Sequence, residues 1–131
     1  MKEDNLYRLR VKSHFDAAHY IKDYDGKCSR EHGHRWDVEL FLAGNNLDEL
    51  NMLIDFGNVK GVLNDVIDLH LDHYQLNESL GVDNLTAEYL AQWLFQQMSS
   101  RLISKGRVQV VSVKIWESPD CSVEFGPGGE R

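Results

Sequence analysis

Apolar and polar positions alternate from Leu6 to Phe15. Leu9, Val11 and Phe15, with Ser13 among them, share one parity, and Arg8, Arg10, Lys12 and His14 share the other. That is the pattern of a strand with one buried face. Ala17 and His19 continue the apolar parity, so His19 points toward the core side. Ile21 to Glu31 carries Gly26, several charges and no periodicity, which predicts a loop holding Cys28. His34, Trp36, Val38, Leu40 and Leu42 then alternate with Arg35, Asp37, Glu39 and Phe41 as a second strand, with His34 on the apolar parity. The connection is long, yet it still permits the two strands to be antiparallel neighbours.

Gly44-Asn45-Asn46 marks a turn, and Asp55 is placed to cap a helix. Phe56, Val59, Leu63, Val66 and Ile67 recur at helical spacing, which predicts a helix from Phe56 to Leu69. Leu71 to Val82 breaks the pattern. Thr86 then caps a second amphipathic helix through Leu90, Trp93, Leu94, Met98 and Leu102, with Glu88 in its first turn and Lys105-Gly106 as its stop. Val108 to Trp116 is a β-branched third strand, Ser118-Pro119-Asp120 a turn, Cys121 to Phe125 a fourth strand, and Gly126 to Arg131 a loose tail. The order ββααββ groups its strands, so it predicts an α+β domain: a four-stranded antiparallel sheet with two helices on one face, a single domain over residues 1–131. The opposite face carries Arg8, Arg10, Lys12, Asp37 and Glu39. It is too polar for a second core but suits a solvated barrel shared by several subunits, which would also pair the exposed sheet edges.

Composition narrows the functional classes. Hydrophobic residues make up 42% of 131, enough for a core, while the net charge of −7 argues against a nucleic-acid protein held by phosphate contacts. The first twenty residues lack a continuous apolar run, so neither a signal peptide nor a membrane span is expected. Two distant cysteines make no disulfide framework, which places the protein in the cytoplasm with both thiols reduced.

The chemistry gathers at Cys28-Ser29-Arg30-Glu31-His32-Gly33-His34. Histidines at i and i+2 present two imidazoles on one strand face, and His19 shares their inward parity on the neighbouring strand. Three neutral imidazoles with one open position make a catalytic-type zinc site, whereas a lone histidine near an apolar face is usually a hydrogen-bonded core residue. Cys28, beside Lys27 and Arg30, reads either as a fourth zinc ligand that closes the site or as a base or nucleophile beside an open metal. Cys121, in a short apolar strand, has a structural reading. Asp72-His73 is either a helix-end contact or a carboxylate that orients a proton-moving imidazole. Glu117 shares the parity of Val111, Val113 and Ile115, and an inward acid there needs a protein cation or a ligand with two adjacent N–H donors.

From about Leu6 to Phe125 the chain resembles the pterin synthase family that holds 6-pyruvoyltetrahydropterin synthase and bacterial 6-carboxytetrahydropterin synthase. Phe15-Asp16-Ala17-Ala18-His19 is similar to the first metal motif, and Cys28 followed by His32-Gly33-His34 to the second. The short gap between Cys28 and His32 resembles the 6-carboxytetrahydropterin synthase branch. Asp55-Phe56 resembles the entry to the first helix, Leu71-Asp72-His73 with Asn77 the catalytic loop, Thr86-Ala87-Glu88 the second helix start, and Glu117 the pterin anchor. The resemblance implies the tunnelling fold (T-fold), with trimers or hexamers forming a barrel. It implies zinc (Zn2+) on His19, His32 and His34, Cys28 as the proton-abstracting base, Asp72 and His73 as a proton relay, and Glu117 and Thr86 against the pterin. The activity implied is a zinc-dependent lyase of queuosine biosynthesis. It would convert 7,8-dihydroneopterin triphosphate to 6-carboxy-5,6,7,8-tetrahydropterin with release of acetaldehyde and triphosphate. Alternatives are 6-pyruvoyltetrahydropterin synthase on the same substrate, or a non-catalytic member that binds pterin or zinc. The candidate cations for the triphosphate are Arg8, Arg10 and Lys27.

Overall fold

A computed structural model of the chain describes residues 5–102 and 107–127, with Cys28 described by its backbone alone. Strand β1 (Tyr7–His19) is followed by a single 3-10 turn (Lys27–Ser29), β2 (His32–Gly44), α1 (Phe56–His70), a one-turn α2 (Leu76–Ser79), α3 (Ala87–Leu102), β3 (Gln109–Ser118) and β4 (Cys121–Phe125). The four strands form one antiparallel sheet in sequence order. The expected loop before β2 therefore contains a turn, and the stretch after α1 contains a short helix too brief to show a period.

Alternation decides which face is covered. Val11, Phe15, Trp36, Val38, Leu40, Leu42, Val113 and Ile115 are buried and join Val59, Leu63, Val66 and Ile67 of α1 and Leu90, Leu94 and Met98 of α3 in one core. Both long helices thus lie on one face. Asp55 caps α1 by accepting from the Asn58 N–H at 3.0 Å, and Thr86 Oγ1 accepts from the Tyr89 N–H at 3.0 Å at the start of α3. The Lys105-Gly106 stop and the end of the Gly/Pro tail lie outside the described residues.

The outer face carries the expected charges, but two of its polar residues, Glu39 and Ser112, are buried. Glu39 is buried, because Arg10 reaches its Oε2 at 3.1 Å and the Trp116 indole N–H donates to its Oε1 at 3.1 Å. A buried carboxylate is tolerated when it is paired in this way.

A register shift in the β2–β3 ladder leaves Leu42 opposite Val110 and Phe41 opposite Ser112. The extra residue is Val111, which is only half-buried, while Val110 enters the core. The parity that joins Glu117 to Val111 in the sequence is therefore broken at the bulge and holds from Val113 to Ile115, while a second irregularity, in the β3–β4 ladder, falls at Glu117 itself.

Candidate metal centre

The pairing of β1 with β2 places His19 directly opposite His32 and Ala17 opposite His34. Directly paired residues project to the same face, so the inward parity of His19 brings all three rings together. Ring centroids are 4.5 Å apart for His19 and His32, 5.3 Å for His19 and His34, and 5.8 Å for His32 and His34. Trp36 supports them from the core side, its ring 4.4 Å from that of His34 and 4.8 Å from that of His19. Its indole N–H donates to the Ala17 carbonyl at 3.3 Å, which locks the support to β1.

Each imidazole is oriented by a main-chain carbonyl. His19 Nδ1 lies 2.8 Å from Leu85 O, His32 Nδ1 2.9 Å from Arg30 O, and His34 Nδ1 2.9 Å from Arg35 O. A carbonyl oxygen only accepts, so each Nδ1 carries the proton and each Nε2 presents a lone pair. The Nε2 atoms of His19 and His34 are buried without a hydrogen-bond partner. Buried nitrogens left unpaired are costly, and a cation that accepts their lone pairs removes the cost. The residues fit a divalent metal for this reason.

Glu117 completes the cluster. It stands two residues beyond Ile115 on the inward face of β3, and its Oε2 is 3.4 Å from His19 Nε2 and 3.9 Å from His34 Nε2. The ligand atoms of His19, His32, His34 and Glu117 all lie within 4.8 Å of one another. When the rings are protonated, the bond His19 Nε2 donates to it and then the charge of His19, His34 and His32 hold the Glu117 carboxyl below the ordinary range against the opposing effect of partial burial; the neutral, lone-pair rings exert no such effect. Glu117 is an ionised acceptor at neutral pH in either case. The sequence reading left its partner open between a protein cation and a ligand's N–H groups, without naming the histidines it stands against.

Asp72 and His73 do not join this cluster. Asp72 Oδ1 accepts from the Asp16 N–H at 3.0 Å, and the His73 N–H donates to Asp16 O at 2.6 Å, along the outer edge of β1. These bonds hold His73 at φ 65, a left-handed conformation uncommon outside glycine. His73 Nδ1 is 3.0 Å from Asp72 Oδ2. The pair also closes the end of α1, where the Asp72 N–H donates to Ile67 O at 2.8 Å, so both sequence readings have a contact behind them.

The Asp72 carboxylate raises the His73 pKa above the ordinary 6.5, while the Asp16 N–H, and then His73, hold Asp72 below the ordinary 3.8. The pair's small contribution to stability is therefore complete only between those ordinary values. It is lost as pH falls through the lowered Asp72 value or rises through the raised His73 value. An NMR titration should find His73 above 6.5, and Asp72→Asn should return it to about 6.5. An unchanged midpoint in the variant would contradict the pairing.

Asn77 holds the site from behind. Its buried amide accepts from the Tyr20 N–H at 2.9 Å and donates to Tyr20 O and Asp83 O, both at 2.9 Å. Leu85 N–H also donates to Tyr20 O at 3.2 Å, so the residue after His19 and the carbonyl that orients His19 are tied together. Asn77→Ala strips the Tyr20 N–H of its acceptor and takes one donor each from Tyr20 O and Asp83 O, which keep the Leu85 and Lys22 N–H groups, and should lower unfolding stability by about 1–3 kcal/mol. Denaturant unfolding of the metal-free protein measures this, and a loss under about 0.5 kcal/mol would contradict it. Thr86 is half-buried, and its hydroxyl accepts the α3 capping bond. Cys28 sits on the 3-10 turn four residues before His32; its side chain lies outside the description.

Three imidazoles with their outer nitrogens tied to carbonyls, beside one reachable carboxylate, are the ligand set of a metal-dependent enzyme. The family model for 6-pyruvoyl tetrahydropterin synthase matches residues 8–127, and the chain belongs to that family. A 6-carboxy-5,6,7,8-tetrahydropterin synthase of Rickettsia conorii is 34% identical over 128 residues, covering 84% of this chain and 93% of that protein. One from Synechocystis is 39% identical over 88 residues, covering 64% and 68%. The structure of Caenorhabditis elegans 6-pyruvoyl tetrahydropterin synthase superposes with a TM-score of 0.82 at 22% identity, covering 98% of this chain and all 100% of that one. The shared architecture is the T-fold. No helix among the described residues is long and apolar enough to cross a membrane.

Proposed function

We propose that this chain is a zinc-dependent lyase that converts 7,8-dihydroneopterin triphosphate and one water to 6-carboxy-5,6,7,8-tetrahydropterin, releasing acetaldehyde and triphosphate. The carrying observation is the set of three imidazoles, each fixed as the Nδ1–H tautomer with Nε2 turned into one cluster. The choice of product follows the relatives that are named for it and match this chain over most of their length.

His19, His32 and His34 would hold the ion, since all-nitrogen sets suit zinc. A bound ion there supplies Lewis-acid stabilisation of negative charge developing on the substrate's side-chain oxygens. Cys28 takes the proton from the carbon next to those oxygens, as a thiolate favoured by Lys27 and Arg30. His73, oriented by Asp72, moves a proton at its ring nitrogen. Glu117, whose side chain is 36% exposed, is the ionised group in the cluster that substrate can reach. It grips two adjacent N–H donors of the pterin ring in a charge-assisted pair, and Thr86 lies at the pterin's edge. Asp72 and His73 stand on the outer edge of β1, so the relay reaches the histidines of a neighbouring copy in a homo-oligomer, a trimer or a pair of trimers. The single-domain enzyme would act in the cytoplasm, in queuosine biosynthesis.

Incubation of zinc-loaded protein with 7,8-dihydroneopterin triphosphate, followed by mass spectrometry, tests the reading. The mass of 6-carboxytetrahydropterin together with acetaldehyde supports it. The mass of 6-pyruvoyltetrahydropterin assigns the chain to the other activity in the family, and unchanged substrate leaves a binding protein.

A further inference from the structure

The Glu117 carboxylate faces two atoms of its own kind. Its Oε2 lies 3.4 Å from His19 Nε2 and 3.9 Å from His34 Nε2. The Leu85 and Arg35 carbonyls keep the proton of each ring on Nδ1, so both Nε2 atoms present lone pairs. An ionised oxygen turned toward two acceptor nitrogens is repelled unless a cation lies among them. The spacing suits such an ion. Ligands about 2.0–2.1 Å from a tetrahedral zinc stand about 3.3–3.4 Å apart, which is the separation of Glu117 from His19.

Glu117 differs from the three histidines in how it is held. Each imidazole is fixed by a main-chain carbonyl, whereas no main-chain N–H among the described residues donates to the Glu117 carboxylate. The β2–β3 register ends at Trp116, and the β3–β4 register passes from Trp116 to Ser118. Glu117 is the residue left out of both ladders, and irregularities of this kind re-aim side chains beside active sites. Its side chain is partly exposed, which gives it room to turn outward.

The pterin substrate has two working ends: side-chain oxygens for the ion, and an N–H edge for Glu117 on the far side of the double ring. One carboxylate cannot stand among the ligands of the ion and grip that far edge at once. We infer that Glu117 is a displaceable fourth ligand, seated on the ion in the resting protein and drawn off by the N–H edge of an arriving pterin. Its departure vacates the position that the substrate's oxygens take. The inference rests on the activity proposed above. It makes the N–H edge a condition for opening the metal, so a molecule with chelating oxygens alone meets a filled site.

Cobalt(II) in place of zinc reports the exchange, because its visible absorption bands follow the number and type of ligands. 6-Methyl-7,8-dihydropterin carries the N–H edge and no side-chain oxygen. Its addition should shift the bands of the wild-type cobalt protein. Glu117→Ala should show the shifted bands without any pterin, and should bind zinc about tenfold more weakly than wild type. Bands that the pterin leaves unmoved, in protein that forms product from 7,8-dihydroneopterin triphosphate, overturn the exchange while the activity stands. A Glu117→Ala protein with the wild-type spectrum and zinc affinity overturns it equally. Wild type that shows the shift and forms no product overturns the activity and leaves the exchange as the behaviour of a pterin-binding protein.

Discussion

His34→Ala protein is expected to bind zinc at least roughly a hundredfold more weakly than wild type and to form no product. Loss of a second-layer partner alone weakens metal sites by about 10–100-fold, so loss of a ligand should do no less. His34 is the informative choice. Its side chain is 24% exposed, and its buried Nε2 has no partner in the protein. His19 is fully buried, so its replacement would also leave a cavity and strand the Leu85 carbonyl. The same ligand accounts for a thermal effect. An ion bound only by the folded state stabilises by about 4 kcal/mol at a thousandfold excess over Kd. Zinc should therefore raise the Tm of the wild type and leave that of His34→Ala nearly unmoved. Equal Tm shifts in the two proteins would place the ion elsewhere.

Cys28→Ala is expected to lower kcat by on the order of 10²–10⁴-fold, the range for loss of a general base, while one zinc per chain is retained. The two readings of Cys28 left open by the sequence separate on this variant. A base can be removed without disturbing the ion, whereas a fourth ligand cannot. Loss of activity together with loss of zinc would make the thiol a ligand and the site a closed one. Full activity with zinc bound would remove Cys28 from the mechanism.

Strand periodicity made much of this site legible. His19, His32 and His34 share inward parity with Phe15, Ala17 and Trp36, and a period of two can be read without a structure. Both helix caps were legible for a related reason: Asp55 and Thr86 act through their own side chains at the first turn. The features that escaped depend on main-chain groups or on register. The carbonyls of Leu85, Arg30 and Arg35 that set the three tautomers belong to residues whose side chains carry no such signal. The bulge at Val111 shifts the parity of β3 without a glycine or proline to announce it. Glu39 lies on the polar parity and is buried only because Arg10 and Trp116 meet it from two neighbouring strands. Asp72-His73 was visible as a pair, but its anchorage on the Asp16 main chain, away from the histidines, is a tertiary fact. The T-fold order ββααββ survived these omissions, because the one-turn α2 adds no layer to the architecture.

X-ray absorption at the zinc edge of the reconstituted protein tests the metal centre most directly. The expected result is one zinc per chain with nitrogen and oxygen neighbours at about 2.0–2.1 Å and imidazole scattering from three rings. A sulfur neighbour at about 2.3 Å, or protein that holds no zinc after reconstitution, would contradict an open site built on His19, His32 and His34.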